Sequence, residues 1–505
     1  MANPTNNQPN VQNQGLDSLM QNVTAILQVR NIIGSTLGPQ GKDVLIFNNV
    51  GESVVSNDGA TILKNLNVNN VIIKNLIDSA TTQEKTVGDG TSTLTILSGE
   101  LSKKGLLLRE DEFLDPVITA KGYQLALEKS KELLTKFSVK VDLSNQEELK
   151  KFVKTTLTGK NTEGFDNIYN ICIEAIKTTN GDTTKINLMK IANGNVDNSR
   201  LVKGIVLDLS AQAPKPEYKA PKVLLLDQEI GNVNPAVNMQ YNVTSADMLD
   251  KVRAIDEDRA KEFYDKIKEL GVEVVICQRD INDFAFDLFS QNGILAVRNA
   301  DKDNMELLSK ALNARIVKNI KLAKNSDLGV ADFVKVERLT DDDDFVVIES
   351  SASNVVSVLV CGTNKSTIEE YERGIEDALG VLKTIFKHNS YVYGAGNIEV
   401  KLAQGLRDYA KTIENGKYQL AIEKYAESLE VIPKLLADSC GLDRLIALGK
   451  LRLNPELGID VENSELRNMP NVIEPTNVKL QALVGATELA CNVLRIGYNL
   501  QGRVE

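Results

Sequence analysis

Apolar residues recur at helical spacing from Leu16 through Leu19, Val23, Ile26 and Leu27, which predicts a helix over 16–34. Gly, Pro and Gly in "STLGPQG", residues 35–41, end it. Two short apolar runs, "DVLIF" and "ESVVS", read as strands. "NDGATILKNL" turns through Asp58-Gly59 into a second helix, and another is expected around Val71–Ala80. Helical patterns continue to about residue 140.

The pattern then changes. "KVLLLD" (222–227), "VEVVICQ" (272–278) and "GILAVRN" (293–299) are continuous apolar runs of strand length. Helical segments at roughly 245–270, 280–291 and 303–314 separate them, so a parallel α/β layer is expected. From about 397 onward long amphipathic helices return. A domain built from both chain ends, with another inserted, accounts for this order better than successive independent domains. "TDDDD", 340–344, reads as a solvated turn between strands.

Composition narrows the function. The 505 residues are 42% hydrophobic and 25% charged, enough for several domains with sizeable cores. No apolar run reaches membrane-spanning length, so no membrane association is expected. The start, "MANPTNNQPNVQNQG", lacks an apolar signal core and reads as a polar, disordered arm over 1–14. A net charge of −11 disfavours nucleic-acid binding. Five widely spaced cysteines, with no CxxC pair, read as buried free thiols in a reducing compartment. The single histidine, His388, excludes histidine-based zinc sites.

The candidate chemistry lies in "VGDGTSTLTIL", 87–97. Gly88 and Gly90 bracket Asp89; the hydroxyl residues Thr91, Ser92 and Thr93 follow, and a helical run begins. Backbone amides in such a turn attract anions. A carboxylate there would repel phosphate unless a divalent cation lay between them, so Asp89 reads as a Mg²⁺ ligand. Taken alone, the commoner role of such an aspartate is to cap the helix that follows. No lysine stands where a GxxxxGK[ST] loop would place it.

"STLGPQG", "SNDGATIL", "VGDGTSTLTILSGEL", "TTLTGK", "ERGIEDAL", "YGAGNIEVKLA", "SLEVIPKLLADSCGLD" and "VIEPTNVKLQAL" occur in this order between about residues 15 and 496. Together they resemble the chaperonin family, in particular its group II branch of archaeal thermosomes and eukaryotic cytosolic chaperonins. The resemblance implies a multidomain α/β chaperonin architecture. A helical equatorial domain (15–145 and 397–505), an intermediate domain (146–203 and 355–396) and an apical α/β domain (204–354) are expected, with a built-in helical lid near 235–260.

The resemblance also implies an ATPase that uses ATP and Mg²⁺. Asp89 matches the metal-binding aspartate, and Gly88, Gly90, Thr91, Ser92 and Thr93 match the phosphate loop. Lys160 matches the residue that senses the γ-phosphate. Asp58 and Asp377 match the aspartates that position and activate water. Gly38 and Pro39 match a loop touching the nucleotide, Gly394 and Gly396 a glycine turn beside the nucleoside, and Glu474 an acidic residue near the ribose. Outside this set, the usual pattern is broken by Gln40, Ala395, Cys361-Gly362 and Gly497-Tyr498. The implied partners are identical or paralogous subunits in a stacked double ring, and non-native polypeptides; the implied location is cytoplasmic. Alternatives are a scaffolding subunit without productive hydrolysis and a soluble nucleotide-dependent enzyme. The latter lacks GxGxxG after its strands.

Overall fold

The computed structural model describes residues 11–47, 53–160, 162–192, 194–209, 214–230, 246–338, 344–350 and 354–499. The chain divides into two compact units, Met1–Gly164 with Arg373–Glu505, and Phe165–Glu372.

The first half of the first unit contains helices α1 (Val11–Gly34), α2 (Gly59–Asn65), α3 (Val71–Val87), α4 (Thr91–Glu110), α5 (Pro116–Phe137) and α6 (Gln146–Leu157). A hairpin of β1 (Val44–Phe47) and β2 (Ser53–Ser56) precedes α2, and β3 (Val139–Lys140) follows α5. The starts follow ordinary capping chemistry. Asn70 caps α3, Asp115 followed by Pro116 opens α5, and Asn145 caps α6, each side chain accepting from backbone amides of the first turn. Helix α1 begins inside the expected arm, at Val11; residues 1–10 lie outside the described residues. Helix α3 runs on past Ala80 to Val87, which delivers the chain directly to Gly88.

The second unit holds helices α7 (Asp166–Thr178), α8 (Ala246–Leu270), α9 (Asp283–Gln291) and α10 (Lys302–Leu312). Its strands are β4 (Ile186–Ala192), β5 (Arg200–Val202), β6 (Gly204–Leu209), β7 (Glu217–Lys219), β8 (Lys222–Leu226), β9 (Val274–Cys277), β10 (Leu295–Val297), β11 (Ile316–Val317), β12 (Gly329–Val330), β13 (Phe333–Arg338), β14 (Asp344–Glu349) and β15 (Val356–Gly362). The three anticipated strands β8, β9 and β10 pair in parallel, β11 joins β8 in parallel, and β12 closes that edge antiparallel. Their side chains are buried on both faces, as the uninterrupted apolar runs require. Of a separate antiparallel sheet, β6-β14-β13-β7, only the turn between β13 and β14 was legible in the sequence. Strands β13 and β14 pair from Arg338 and Asp344 onward, so Asp344, the last residue of the expected turn, opens β14; 339–343 lie outside the described residues. So do 231–245, which include the start of the expected lid, and the side chains of Met248, Val252 and Ile255, whose apolar spacing with Phe263 reads as a packing face; α8 buries Ala260, Phe263 and Ile267 further along.

The first unit is completed by the end of α11 (Lys365–His388), by α12 (Asn397–Ala410), α13 (Gly416–Leu429), α14 (Val431–Ser439), α15 (Arg444–Leu453) and α16 (Thr476–Leu494), and by β16 (Ser390–Tyr393), β17 (Gly458–Asp460), β18 (Glu465–Arg467) and β19 (Ile473–Pro475). Helices from both ends of the chain share one core: α4 packs on α1 and α16, and α5 on α13 and α16. At its centre the rings of Tyr123 and Tyr425 meet edge to face, 5.5 Å apart. Their hydroxyls are satisfied, Tyr123 donating to the Leu101 carbonyl and Tyr425 bonding Thr487 Oγ1. Asn22 and Asn499 exchange side-chain hydrogen bonds, joining the two ends directly. All five cysteines are free, as expected; four are buried and Cys440 is half-buried. No helix among the described residues is long and apolar enough to cross a membrane.

Candidate active site

The first unit contains a cavity of about 400 Å³. Its wall includes Gly38, Pro39, Asp58, Asp89, Gly90, Thr91, Ser92, Thr93, Lys160, Gly396 and Glu474. Residues scattered over more than 400 positions of the chain are thus gathered around one space. Ile432, Leu436, Ile459, Val461 and Val478 supply apolar wall.

Helix α3 ends at Gly88 and α4 starts after Gly90, both glycines in the left-handed region (φ 79° and 88°). Only glycine takes that conformation without steric cost. The Asp89 side chain does not cap α4: the N-cap is Gly90, no side chain caps it, and Asp89 Oδ1 accepts instead from the Gly90 amide at 2.6 Å. This overturns the capping alternative. The first turn of α4 is left free of an intramolecular acceptor from its cap, beside three hydroxyl residues and on the cavity wall, which suits an anion.

Asp58 caps α2, its Oδ2 accepting from the Thr61 amide (2.9 Å) and hydroxyl (2.8 Å), and it also lines the cavity. Burial alone would raise its pKa, but Lys160 and the Thr61 hydrogen bonds outweigh that and hold it below the usual carboxylate range. Asp377, on α11, is not the exposed helical residue its sequence context allows. Its carboxylate is nearly buried and ion-pairs with Lys160, which follows α6 and is likewise nearly buried. Burial pushes Asp377 up to about 8; Lys160 pulls the other way, and the charges of Asp58 and Asp89 add to the push. Burial opposes the charge of Lys160, yet Asp377, Asp58 and Asp89 together hold its pKa above the ordinary lysine value.

Three carboxylates therefore surround one ammonium, and the excess is negative. A phosphate could enter only with further positive charge. Among the described residues no cluster of three or more His, Cys, Asp or Glu could hold a metal ion by itself. One carboxylate on the cavity wall, Asp89, is the donor set that suits Mg²⁺ arriving with a nucleotide, since this ion keeps waters and binds through one or two carboxylates plus phosphate oxygens.

Three expected residues are placed differently. Asp377 stands behind the cavity wall, through its pairing with Lys160. Gly88 packs against Gly380. Gly394 lines a smaller neighbouring cavity and lies under Glu474, where a Cβ would come within 2.6 Å of Glu474 Oε1. Of the departures from pattern, Ala395 adopts the left-handed conformation (φ 55°) that its glycine neighbour Gly396 also takes, so the turn keeps its course at a steric cost. Gln40 Nε2 donates to the Val461 carbonyl at 3.2 Å, tying the "LGPQG" loop to the β17–β18 hairpin.

Four supporting residues escaped sequence reasoning. Lys479 Nζ lies 2.6 Å from Glu399 and 2.9 Å from Glu474, so a buried ammonium holds the Glu474 carboxylate in place. Gln83 Nε2 donates to the carbonyls of Asp89 and Val478. Asn57 Nδ2 donates to the Gly159 carbonyl at 2.5 Å, linking the Asp58 and Lys160 loops. Lys479, Glu399 and Asn57 stand inside three of the quoted segments and could have been noticed there; nothing in the sequence singles out Gln83.

A model of the TCP-1/cpn60 chaperonin family matches residues 29–499. The chain is 36% identical over 501 residues to a thermosome subunit of Methanopyrus kandleri, covering 95% of this chain and 91% of that one. Over the same shares of the two chains it is 35% identical to each of two subunits of Archaeoglobus fulgidus, thermosome subunit alpha and thermosome subunit beta. The chain belongs to the TCP-1/cpn60 chaperonin family.

Proposed function

We propose that the chain is an ATP-hydrolysing subunit of a group II chaperonin. It uses ATP with Mg²⁺, assembles with identical or paralogous subunits into a stacked double ring, and encloses non-native polypeptides. The observation that carries this reading is the uncapped start of α4 on the wall of a cavity that also holds Asp58, Asp89 and Lys160.

In this reading Asp89 holds Mg²⁺, which when bound neutralises phosphate charge and polarises the phosphoryl group. Gly88 and Gly90 shape the loop, and amides and hydroxyls of Thr91, Ser92 and Thr93 take phosphate oxygens. Lys160 meets the γ-phosphate as a point charge. Asp58 and Asp377 orient the attacking water and accept its proton. Phosphoryl transfer asks mainly for such positioning and charge. Glu474, held by Lys479, faces the ribose, while Gly38, Pro39, Gly394 and Gly396 shape the nucleoside end.

The division into equatorial (15–145, 397–505), intermediate (146–203, 355–396) and apical (204–354) domains belongs to the same reading, as do the lid near 235–260 and a cytoplasmic location. The closed, ATP-bound arrangement is favoured by its higher nucleotide affinity. The test combines electron microscopy of the purified protein, a phosphate-release assay, and ATP-dependent protection of an unfolded protein from protease. Single particles without rings, or rings that release no phosphate, would overturn it.

A further inference from the structure

Helix α11 carries two glycines, Gly374 and Gly380, three residues before and three after Asp377. Alanine is favoured over glycine inside a helix, so both positions ask for a reason. Residues three apart share a helix face, so Gly374, Asp377 and Gly380 form one strip about 9 Å long with the carboxylate at its centre.

Each glycine marks a close crossing. A Cβ on Gly380 would come within 2.6 Å of the Gly88 Cα, and a Cβ on Gly88 within 2.4 Å of the Gly380 Cα. Both obstacles are backbone and cannot rotate away. One turn further along α11, Thr384 Oγ1 donates to the Val87 carbonyl at 3.1 Å, a buried bond that fixes the same crossing. At the other end, a Cβ on Gly374 would come within 2.8 Å of Thr162 Oγ1 and 3.3 Å of Leu157 Cδ2. Leu157 and Thr162 flank Lys160. Thr162 is fully buried and its hydroxyl has no hydrogen-bond partner.

We infer that Gly374 and Gly380 are positioning residues that set the height of Asp377 between the Lys160 loop and the Asp89 loop. The contact at Gly380 joins the backbone of the helix bearing the base to the backbone of the loop bearing the metal-binding aspartate. It therefore fixes their separation without a side chain that could adjust. The contact at Gly374 meets side-chain atoms, which can yield, so it is the softer of the two. The inference rests on the reading of Asp377 as a catalytic group.

The experiment compares Gly380→Ala, Gly374→Ala, Thr384→Val and Asp377→Ala for kcat, for ATP Kd by calorimetry and for thermal melting. An added methyl at Gly380 lifts Asp377 away from the phosphate loop. Misplacement by about an ångström costs on the order of 10²-fold in rate. Gly380→Ala is expected to lose kcat on that scale while ATP Kd stays at the wild-type value, because the methyl meets Gly88, which stands off the cavity wall, and none of the residues that line it. Gly374→Ala should show the same split with a smaller loss. Thr384→Val adds no bulk; it should lower kcat at unchanged Kd, and it decides alone if Gly380→Ala does not fold. Wild-type kcat in Gly380→Ala, or in Thr384→Val when it decides, overturns the inference if Asp377→Ala is inactive. Parallel loss of kcat and ATP affinity overturns it too, since that marks a general structural role. A fully active Asp377→Ala is the separate signature of a failed catalytic reading.

Discussion

Lys160 and Asp377, 217 positions apart in sequence, form an ion pair beside the cavity of the first unit. The pair joins the loop after α6 to the middle of α11. Asp58 and Asp89, unlike Asp377, stand on the cavity wall itself. The arrangement separates roles that substitutions can resolve.

Asp377→Ala removes the proposed base and no phosphate contact. Hydrolysis should fall by about 10²–10⁴-fold while ATP binding persists. Phosphate release and calorimetric ATP binding, measured side by side, check this; hydrolysis at the wild-type rate would remove Asp377 from the mechanism.

Asp89→Ala takes away the proposed Mg²⁺ ligand from a loop whose backbone is otherwise pinned by Gln83. ATP affinity in Mg²⁺ should drop, and affinity in EDTA should change little. A variant whose affinity still responds to Mg²⁺ as the wild type does would place the metal elsewhere.

Lys160→Ala should blur the distinction between ATP and ADP more than it weakens binding. It also leaves Asp377 and Asp58 without their counter-charge, so Asp58 should lose its lowered pKa. The readout is protease protection with each nucleotide: the wild type should differ between them and the variant should not.

Glu430 is fully buried between α13 and α14 and accepts from Arg407 (2.7 Å) and Arg452 (2.8 Å). Burial alone would raise its pKa, but the two guanidiniums hold it below the ordinary 4.5. The unfolded chain therefore takes up this proton first as pH falls. The contribution to stability is complete above about 4.5 and is lost as pH drops through the lower folded value. Glu430→Gln should cost about 1.5–3 kcal/mol at neutral pH, the usual worth of hydrogen bonds to a charged group, because the two guanidiniums left behind still reach solvent. Urea melts of both proteins at neutral and acid pH should show the difference narrowing with acid.

The lid is tested by replacing residues 235–256 with a short Gly/Ser linker. The cut stops there because Ala260, Phe263 and Ile267 of α8 belong to the core of the second unit. Rings and ATP hydrolysis should survive, while ATP-dependent protection of an enclosed protein should disappear. Full protection in the shortened protein would mean that the cage closes by another device.

What the sequence determined by itself is what local physics and motif order can carry. Apolar periodicity located α1, α4, α8 and α10, and uninterrupted apolar runs located β8, β9 and β10, because buried strands need both faces apolar. Motif order marked Asp58, Asp89, Lys160 and Asp377 as candidates for one site. The tertiary structure alone decided that Asp89 leaves α4 uncapped, that Asp377 is buried against Lys160, and that Gly394 makes room for Glu474. It alone showed that β14 pairs with β6 and β13 with β7, strands that lie more than 100 positions apart in the chain. It also revealed Gln83, Asn57 and Lys479 as supports. The reason is range. Capping, turns and periodicity act within a few residues and leave a local trace, whereas the direction of a carboxylate or the crossing of Gly88 with Gly380 is set by backbone brought together from nearly 300 positions away, which neither segment records alone.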